Sequence, residues 1–309
     1  MVAGANDIAA ASPGPNAPPA PRKLLIGLIG AGIQHSLSPA MHEQEARQQG
    51  LRLHYQLIDV ERSADGAAAL PRLIDAARTM AFAGLNITYP CKQAVIPLLD
   101  ALSDEAAAMG AVNTVVFDNG RAIGHNTDGS GWAWGFRRTL PEADLSRVVL
   151  LGAGGAGSAI AHAALRLGTQ HLTLVDPDAS RSVALADELN KRHGGARARG
   201  GLGAEAALAD ATGLIHATPT GMAKLPGLPL PASLLRSGLW VSEIVYFPLE
   251  TALLAAARRA GCAVCDGGTM AVGQAVGAFR LFTGLEPDAE RMRQHFLDLI
   301  APLDVARSS

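Results

Sequence analysis

The sequence has 309 residues, 49% hydrophobic and 17% charged, which is ample for packed cores and excludes a mainly disordered chain. Its 26 Lys and Arg against 28 Asp and Glu leave a net charge of −2, and aromatics are only 4%. Nucleic acid and anionic membrane surfaces are therefore excluded as main partners, since both need a concentrated basic face. At about 150 residues per domain, the length suggests two domains. Residues 1–21 carry five prolines among Ala, Gly, Ser and Asn, with no basic stretch ahead of an apolar one. That segment reads as a disordered tail and not a signal peptide. Structure is expected from Lys23, where Leu24 to Ile29 form a strand-length apolar run ending at Gly30. Pro39 to Gly50 follows as a helix stopped by glycine, then Leu53 to Val60 as a strand, Ala67 to Met80 as a helix and Gly84 to Thr88 as a buried strand.

A second alternation opens at Val148, with a short apolar strand to Leu151, a glycine-rich turn and an Ala-rich helix closed by Gly168. Strands follow at Leu172 to Val175, Leu214 to Ala217, Trp240 to Ile244 and Ala263 to Val264, and the chain is helical after Asp266. Alternating strands and helices predict an α/β protein with mostly parallel sheets. The expected division is a substrate-binding domain over 22–130, completed by C-terminal helices over 268–309, and a Rossmann dinucleotide-binding domain over 131–267. Three cysteines make no disulfide framework, which points to a reducing, cytoplasmic setting. No apolar run reaches the roughly 18 residues of a spanning helix.

The sharpest local signal is Gly152-Ala153-Gly154-Gly155-Ala156-Gly157, which satisfies GxGxxG between a strand and a helix. Glycines there allow a tight turn and close approach of backbone to a pyrophosphate, which the helix N-terminus favours. Asp176 ends the second strand, where an acidic residue about 20 positions on would hold the adenosine ribose. A carboxylate there favours NAD, whereas Arg181, five residues later, could swing in toward the extra phosphate of NADP. Three polar stretches stand out earlier: His35 to Pro39, Asn86 to Lys92, and Gly124 to Gly129 with Asp128 on a turn. Cys262 and Cys265 are one CxxC pair without a second set, so no metal site is expected and they read as buried strand residues.

Together these residues resemble the shikimate dehydrogenase family, including the quinate/shikimate dehydrogenases, from about Lys23 to Phe296. The resemblance rests on Ser36-Leu37-Ser38-Pro39, Asn86-Ile87-Thr88 with Lys92, Gly110 to Thr114, Asn126 to Gly129, the glycine loop, Ala217 to Met222, and Gly267 to Gln274. It implies reversible NAD-dependent oxidation of shikimate or quinate to the 3-dehydro form, with NADP as an alternative cofactor. It further implies that Ser36 and Ser38 bind the substrate carboxylate, that Asn86, Thr88, Asn113 and Gln274 bind ring hydroxyls, and that Lys92 and Asp128 are the catalytic pair. A lysine partly desolvated between apolar walls can exchange the alcohol proton as hydride leaves. Tyr246 is expected to reach the substrate or nicotinamide. The implied dinucleotide contacts are Gly152, Gly154, Gly155, Ala156, Gly157, Asp176, Arg181, Thr218, Met222, Gly267 and Met270. Glu243 stands where the family usually has Asp and reads as structural support; Cys91 stands where an aromatic is more usual. A monomer or homodimer is expected. Two other readings remain, a dehydrogenase of an aminated shikimate analogue or of a folate, and a nucleotide-sensing module without catalysis.

Overall fold

The first strand, β1 (Lys23–Gly30), is buried over nearly its whole length, so it belongs in the middle of a sheet covered on both faces. A computed structural model describes residues 22–308, and the tail expected over residues 1–21 lies outside the described residues. After β1 come α1 (Ser38–Gln48), β2 (Arg52–Asp59), α2 (Leu70–Thr79), β3 (Gly84–Ile87), α3 (Cys91–Ala94) and β4 (Ala101–Leu102). Next are α4 (Asp104–Met109), β5 (Thr114–Asp118), β6 (Arg121–His125) and α5 (Asp128–Thr139). These six strands form one sheet in the order β2-β1-β3-β5-β6-β4. It is mostly parallel, but β5 runs against both β3 and β6. The reversal is made by Asn119 and Gly120, both at positive φ (48° and 79°), a two-residue turn matched to the strand twist.

The second half runs β7 (Arg147–Leu151), α6 (Gly155–Leu167), β8 (His171–Val175), α7 (Ala179–His193), β9 (Ala198–Arg199), α8 (Ala204–Leu208) and β10 (Gly213–His216). It continues with β11 (Trp240–Glu243), α9 (Ala252–Arg259), β12 (Ala263–Cys265), α10 (Gly267–Thr283) and α11 (Ala289–Ser308). The sheet is entirely parallel, in the order β12-β11-β10-β7-β8-β9. Leu150, Leu172 and Leu174 pack with Ile160 and Leu185 on one face, while Val149, Leu214 and Val241 pack with Leu253 on the other. The strand order reverses between β7 and β10, and such a switch point leaves a crevice at the carboxyl ends of the strands.

Helix α10 joins the two sheets. Near its start, Met270 packs with Trp132 and Phe136 in the second core, whereas Ala278 and Phe282 pack with Ile26, Leu28 and Tyr55 of the first. Val276 continues into a cluster with Met41, Met292 and Phe296, which seats α11 against α1. Helices α5 and α10 cross with backbones nearly touching. A Cβ on Gly273 would lie 2.3 Å from the Gly131 carbonyl oxygen, and one on Gly131 would lie 2.6 Å from Gln274 N. This close crossing, permitted by two glycines, brings Gln274 to the head of α5.

Candidate active site

Asp128 is the first residue of α5, not part of a free turn, so its carboxylate sits at a helix N-terminus where negative charge is favoured. Lys92, in the short helix α3 after β3, donates from Nζ to Asp128 Oδ2 at 2.6 Å. The other carboxylate oxygen accepts Asn113 Nδ2 at 2.8 Å and Gln274 Nε2 at 2.6 Å. The Asp128 side chain is only 3% exposed, and that of Lys92 is 29% exposed. An ammonium open to the cleft is thus held by a carboxylate that is itself closed off and immobilised.

Asn113 does more than hold Asp128. Its Oδ1 accepts the Thr127 backbone N–H at 2.8 Å and the Thr114 hydroxyl at 2.9 Å, and its Nδ2 also donates to Thr127 Oγ1 at 3.0 Å. Asn126 caps the same turn, accepting the Asp128 backbone N–H at 2.9 Å while donating to the Ala111 carbonyl. Asn86 continues the network: its Nδ2 donates to Thr114 Oγ1 at 3.1 Å, and its Oδ1 accepts the Tyr55 hydroxyl at 2.8 Å. Tyr55, on β2, also bonds the Ser38 side chain, and burial pushes its phenol pKa up. Ser38 begins α1, and Ser36 Oγ accepts the Ser38 backbone N–H at 3.3 Å. Asp59 braces the loop ahead of these serines by accepting the Gly32 N–H and the Gln34 amide, and the Gln34 bond in particular lowers its pKa.

One polar network therefore runs from Ser38 through Tyr55, Asn86, Thr114 and Asn113 to Asp128, Lys92 and Gln274. Thr88 follows directly after β3 and is half-buried beside it. Tyr55 was not singled out from the sequence. Its signal was a tyrosine at an inward position of an alternating strand, where the hydroxyl needs a buried partner.

The second sheet presents the glycine loop. Gly152 has φ +101°, and a Cβ on Gly157 would lie 1.9 Å from the Gly152 carbonyl oxygen, so both positions require glycine. Gly155 has no atom within 4 Å of its Cβ position, leaving bare backbone at the N-terminus of α6. A cradle of that kind fits a pyrophosphate. Asp176, just past β8, accepts the Ala153 N–H at 2.8 Å and the Asp178 N–H at 3.0 Å, so it also shapes the loop. The Arg181 guanidinium hangs over the loop, 3.7 Å from the Cβ position of Gly154. Thr218 lies across from Gly152, and its methyl is 3.1 Å from that residue's Cβ position.

Gly267 opens α10 against the Val245 carbonyl, and Met270 is buried one turn later. Met222 and Tyr246 are exposed (44% and 42%), and the Tyr246 ring stands edge-on to Phe296. Cys262 bonds the Arg236 carbonyl and Cys265 the Thr269 hydroxyl, so the CxxC pair serves two separate packing sites. Among the described residues no group of His, Cys, Asp and Glu is arranged for a metal, and no helix is long and apolar enough to cross a membrane.

Comparison with known proteins yields two domain matches. A shikimate dehydrogenase substrate binding domain matches residues 28–115, and a shikimate 5'-dehydrogenase C-terminal domain matches residues 267–295. The chain is 59% identical to a shikimate dehydrogenase (NADP(+)) of Streptomyces avermitilis, across 89% of this chain and 95% of that one. It is 50% identical to a quinate/shikimate dehydrogenase (NAD(+)) of Corynebacterium glutamicum, across 89% and 99%. A solved quinate dehydrogenase from Corynebacterium glutamicum in complex with NAD superposes with a TM-score of 0.85 at 49% identity, covering 90% of this chain and 99% of the other.

Proposed function

The chain belongs to the shikimate dehydrogenase family, and we propose that it catalyses the reversible oxidation of shikimate or quinate to the 3-dehydro compound, with NAD as the preferred nicotinamide cofactor. The observation that carries the catalytic part is the 2.6 Å pair of Lys92 and Asp128, fixed from the far side by Asn113 and Gln274. Asp128 already accepts three donors, so it serves as anchor. Lys92 has further N–H positions and an exposed face, so it exchanges the alcohol proton. A nicotinamide dinucleotide supplies the hydride acceptor, and the glycine loop with α6 would hold its pyrophosphate.

Ser36 and Ser38 take the ring carboxylate, at the opposite end of the network from the ammonium. Asn86, Thr88, Asn113 and Gln274 meet ring hydroxyls, and the Asn113 amide also holds Asp128 and Thr127. Gly152 to Gly157, Asp176, Thr218, Met222, Gly267 and Met270 line the dinucleotide side. Residues 22–130 with the C-terminal helices form the substrate unit, and 131–267 the dinucleotide unit.

The preference for NAD rests on Asp176, whose carboxylate would accept ribose hydroxyls and repel a phosphate. Arg181 over the loop moderates that repulsion, so the preference is one of degree. Three free, buried cysteines suit a reducing cytoplasm. Steady-state rates with shikimate and quinate, each with NAD and NADP, test the proposal. Turnover of at least one acid with a higher kcat/KM for NAD supports it; no turnover of either refutes it.

A further inference from the structure

His216 and Glu243 are the last residues of β10 and β11 and stand opposite each other in register. Both side chains are fully buried, and no step of the proposed reaction uses them. The Glu243 carboxylate is surrounded by donors: the Ile244 and Val245 N–H groups at 2.9 and 3.0 Å, and the Thr251 hydroxyl at 3.1 Å. His216 Nδ1 lies 2.8 and 3.0 Å from its two oxygens, so this nitrogen carries a proton and donates it to the carboxylate. The other ring nitrogen, Nε2, meets the Thr218 hydroxyl at 2.5 Å. The Thr220 N–H donates to that same hydroxyl at 3.3 Å.

A buried ionisable pair is weak evidence for stability, because apolar residues of similar volume often do as well. What an imidazole adds is direction, since the bond made by one ring nitrogen decides what the other presents. We infer that His216 is a positioning residue: Glu243 fixes its tautomer, and the ring, by holding the Thr218 hydroxyl, fixes the rotamer in which the Thr218 side chain, methyl toward Gly152, meets the dinucleotide. A hydroxyl held in place before binding loses less freedom when the nucleotide arrives. The inference rests on the dinucleotide reading above.

The test is a double-mutant cycle read as the Kd for NADH by nucleotide fluorescence. In His216→Asn the shorter amide still reaches Glu243 from near the Nδ1 position but no longer reaches Thr218. It is expected to weaken NADH about fivefold in the parent and less than about twofold in Thr218→Val, with kcat at saturating nucleotide nearly unchanged. Thr218→Ser, which keeps the hydroxyl, is expected to preserve the full effect of His216→Asn. Equal weakening with and without the hydroxyl would mean that the histidine only supports the fold, and would overturn the inference. Nitrogen NMR of histidine-labelled parent protein gives a second measurement that needs no variant. The expected spectrum has a proton on Nδ1 of His216 and an Nε2 resonance that moves when NADH is added; a bare Nδ1 or an unmoved Nε2 overturns the inference. Failure of the parent to bind NADH or NADPH at all would instead remove the dinucleotide reading on which the inference stands.

Discussion

Lys92→Ala separates the proton-handling role from every other role of the site. The parent ammonium is one of three donors to Asp128, and the two amides from Asn113 and Gln274 remain in the variant. The carboxylate therefore stays hydrogen-bonded, and since Lys92 is partly exposed the loss to stability is only about 1 to 2 kcal/mol. Catalysis loses more. A positioned acid or base contributes about 10²- to 10⁴-fold, so kcat is expected to fall about 10³-fold, or about 4 kcal/mol of barrier. The Kd for NADH should hold, because the dinucleotide loop belongs to the other sheet. The assay is NADH absorbance under steady-state conditions, with nucleotide binding by fluorescence and a thermal melt to confirm folding. A variant turning over within about threefold of the parent would remove Lys92 from the mechanism.

Replacing Ser36 and Ser38 together by Ala should raise KM for shikimate and quinate about tenfold or more with little change in kcat, because the carboxylate keeps its charge throughout the reaction; unchanged KM values would place the carboxylate elsewhere. Asp176→Ala should lower kcat/KM for NAD about tenfold and narrow its advantage over NADP, a gain tempered by the lost bond to the Ala153 N–H; a parent that prefers NADP contradicts the role given to Asp176. The fourth prediction concerns His42, which is 1% exposed, donates from Nδ1 to the Ser38 carbonyl, and has its pKa lowered by burial to about 4. The unfolded chain binds that proton more readily, so its contribution is intact above about pH 6.5 and is lost as the pH falls toward 4, about 2 kcal/mol by pH 5. Urea unfolding of His42→Leu should show a correspondingly shallower drop between pH 7 and 5 than the parent; parallel curves refute it.

Five of the six strands of the dinucleotide sheet were legible because each carries a short apolar run and the glycine loop marks β7 as a central one, whereas the edge strand β9 is only Ala198-Arg199 and carries no such run. In the first sheet β1, β2 and β3 were legible, whereas β4, β5 and β6 were not. Strand–helix alternation predicts parallel pairing, yet Asn119-Gly120 between Phe117 and Ala122 is a two-residue hairpin signal that outweighs it. Among the site residues, Lys92 and Asp128 could be named only through the family resemblance. A lysine after a strand and an aspartate before a helix carry no mark of their being 2.6 Å apart.

The rest of the site depends on registers and crossings that no local pattern encodes. Gln274 reaches Asp128 across 146 residues of chain because Gly131 and Gly273 let two helices touch, and either glycine alone reads as a weak helix position. Tyr55 meets Asn86 because β1, lying between their strands, pairs Ile26 with Tyr55 and Leu28 with Asn86, two positions apart, which puts both residues on the same face of the sheet. His216 meets Glu243 for the same reason: β10 and β11 pair without offset at their last residues, and a slip of one position would turn either side chain to the opposite face. Parallel sheets thus convert a register, set by the packing of apolar residues on both faces, into polar contacts at the carboxyl ends of the strands. That is why the strands could be read one by one, while the hydrogen-bond network at their ends required the assembled sheet.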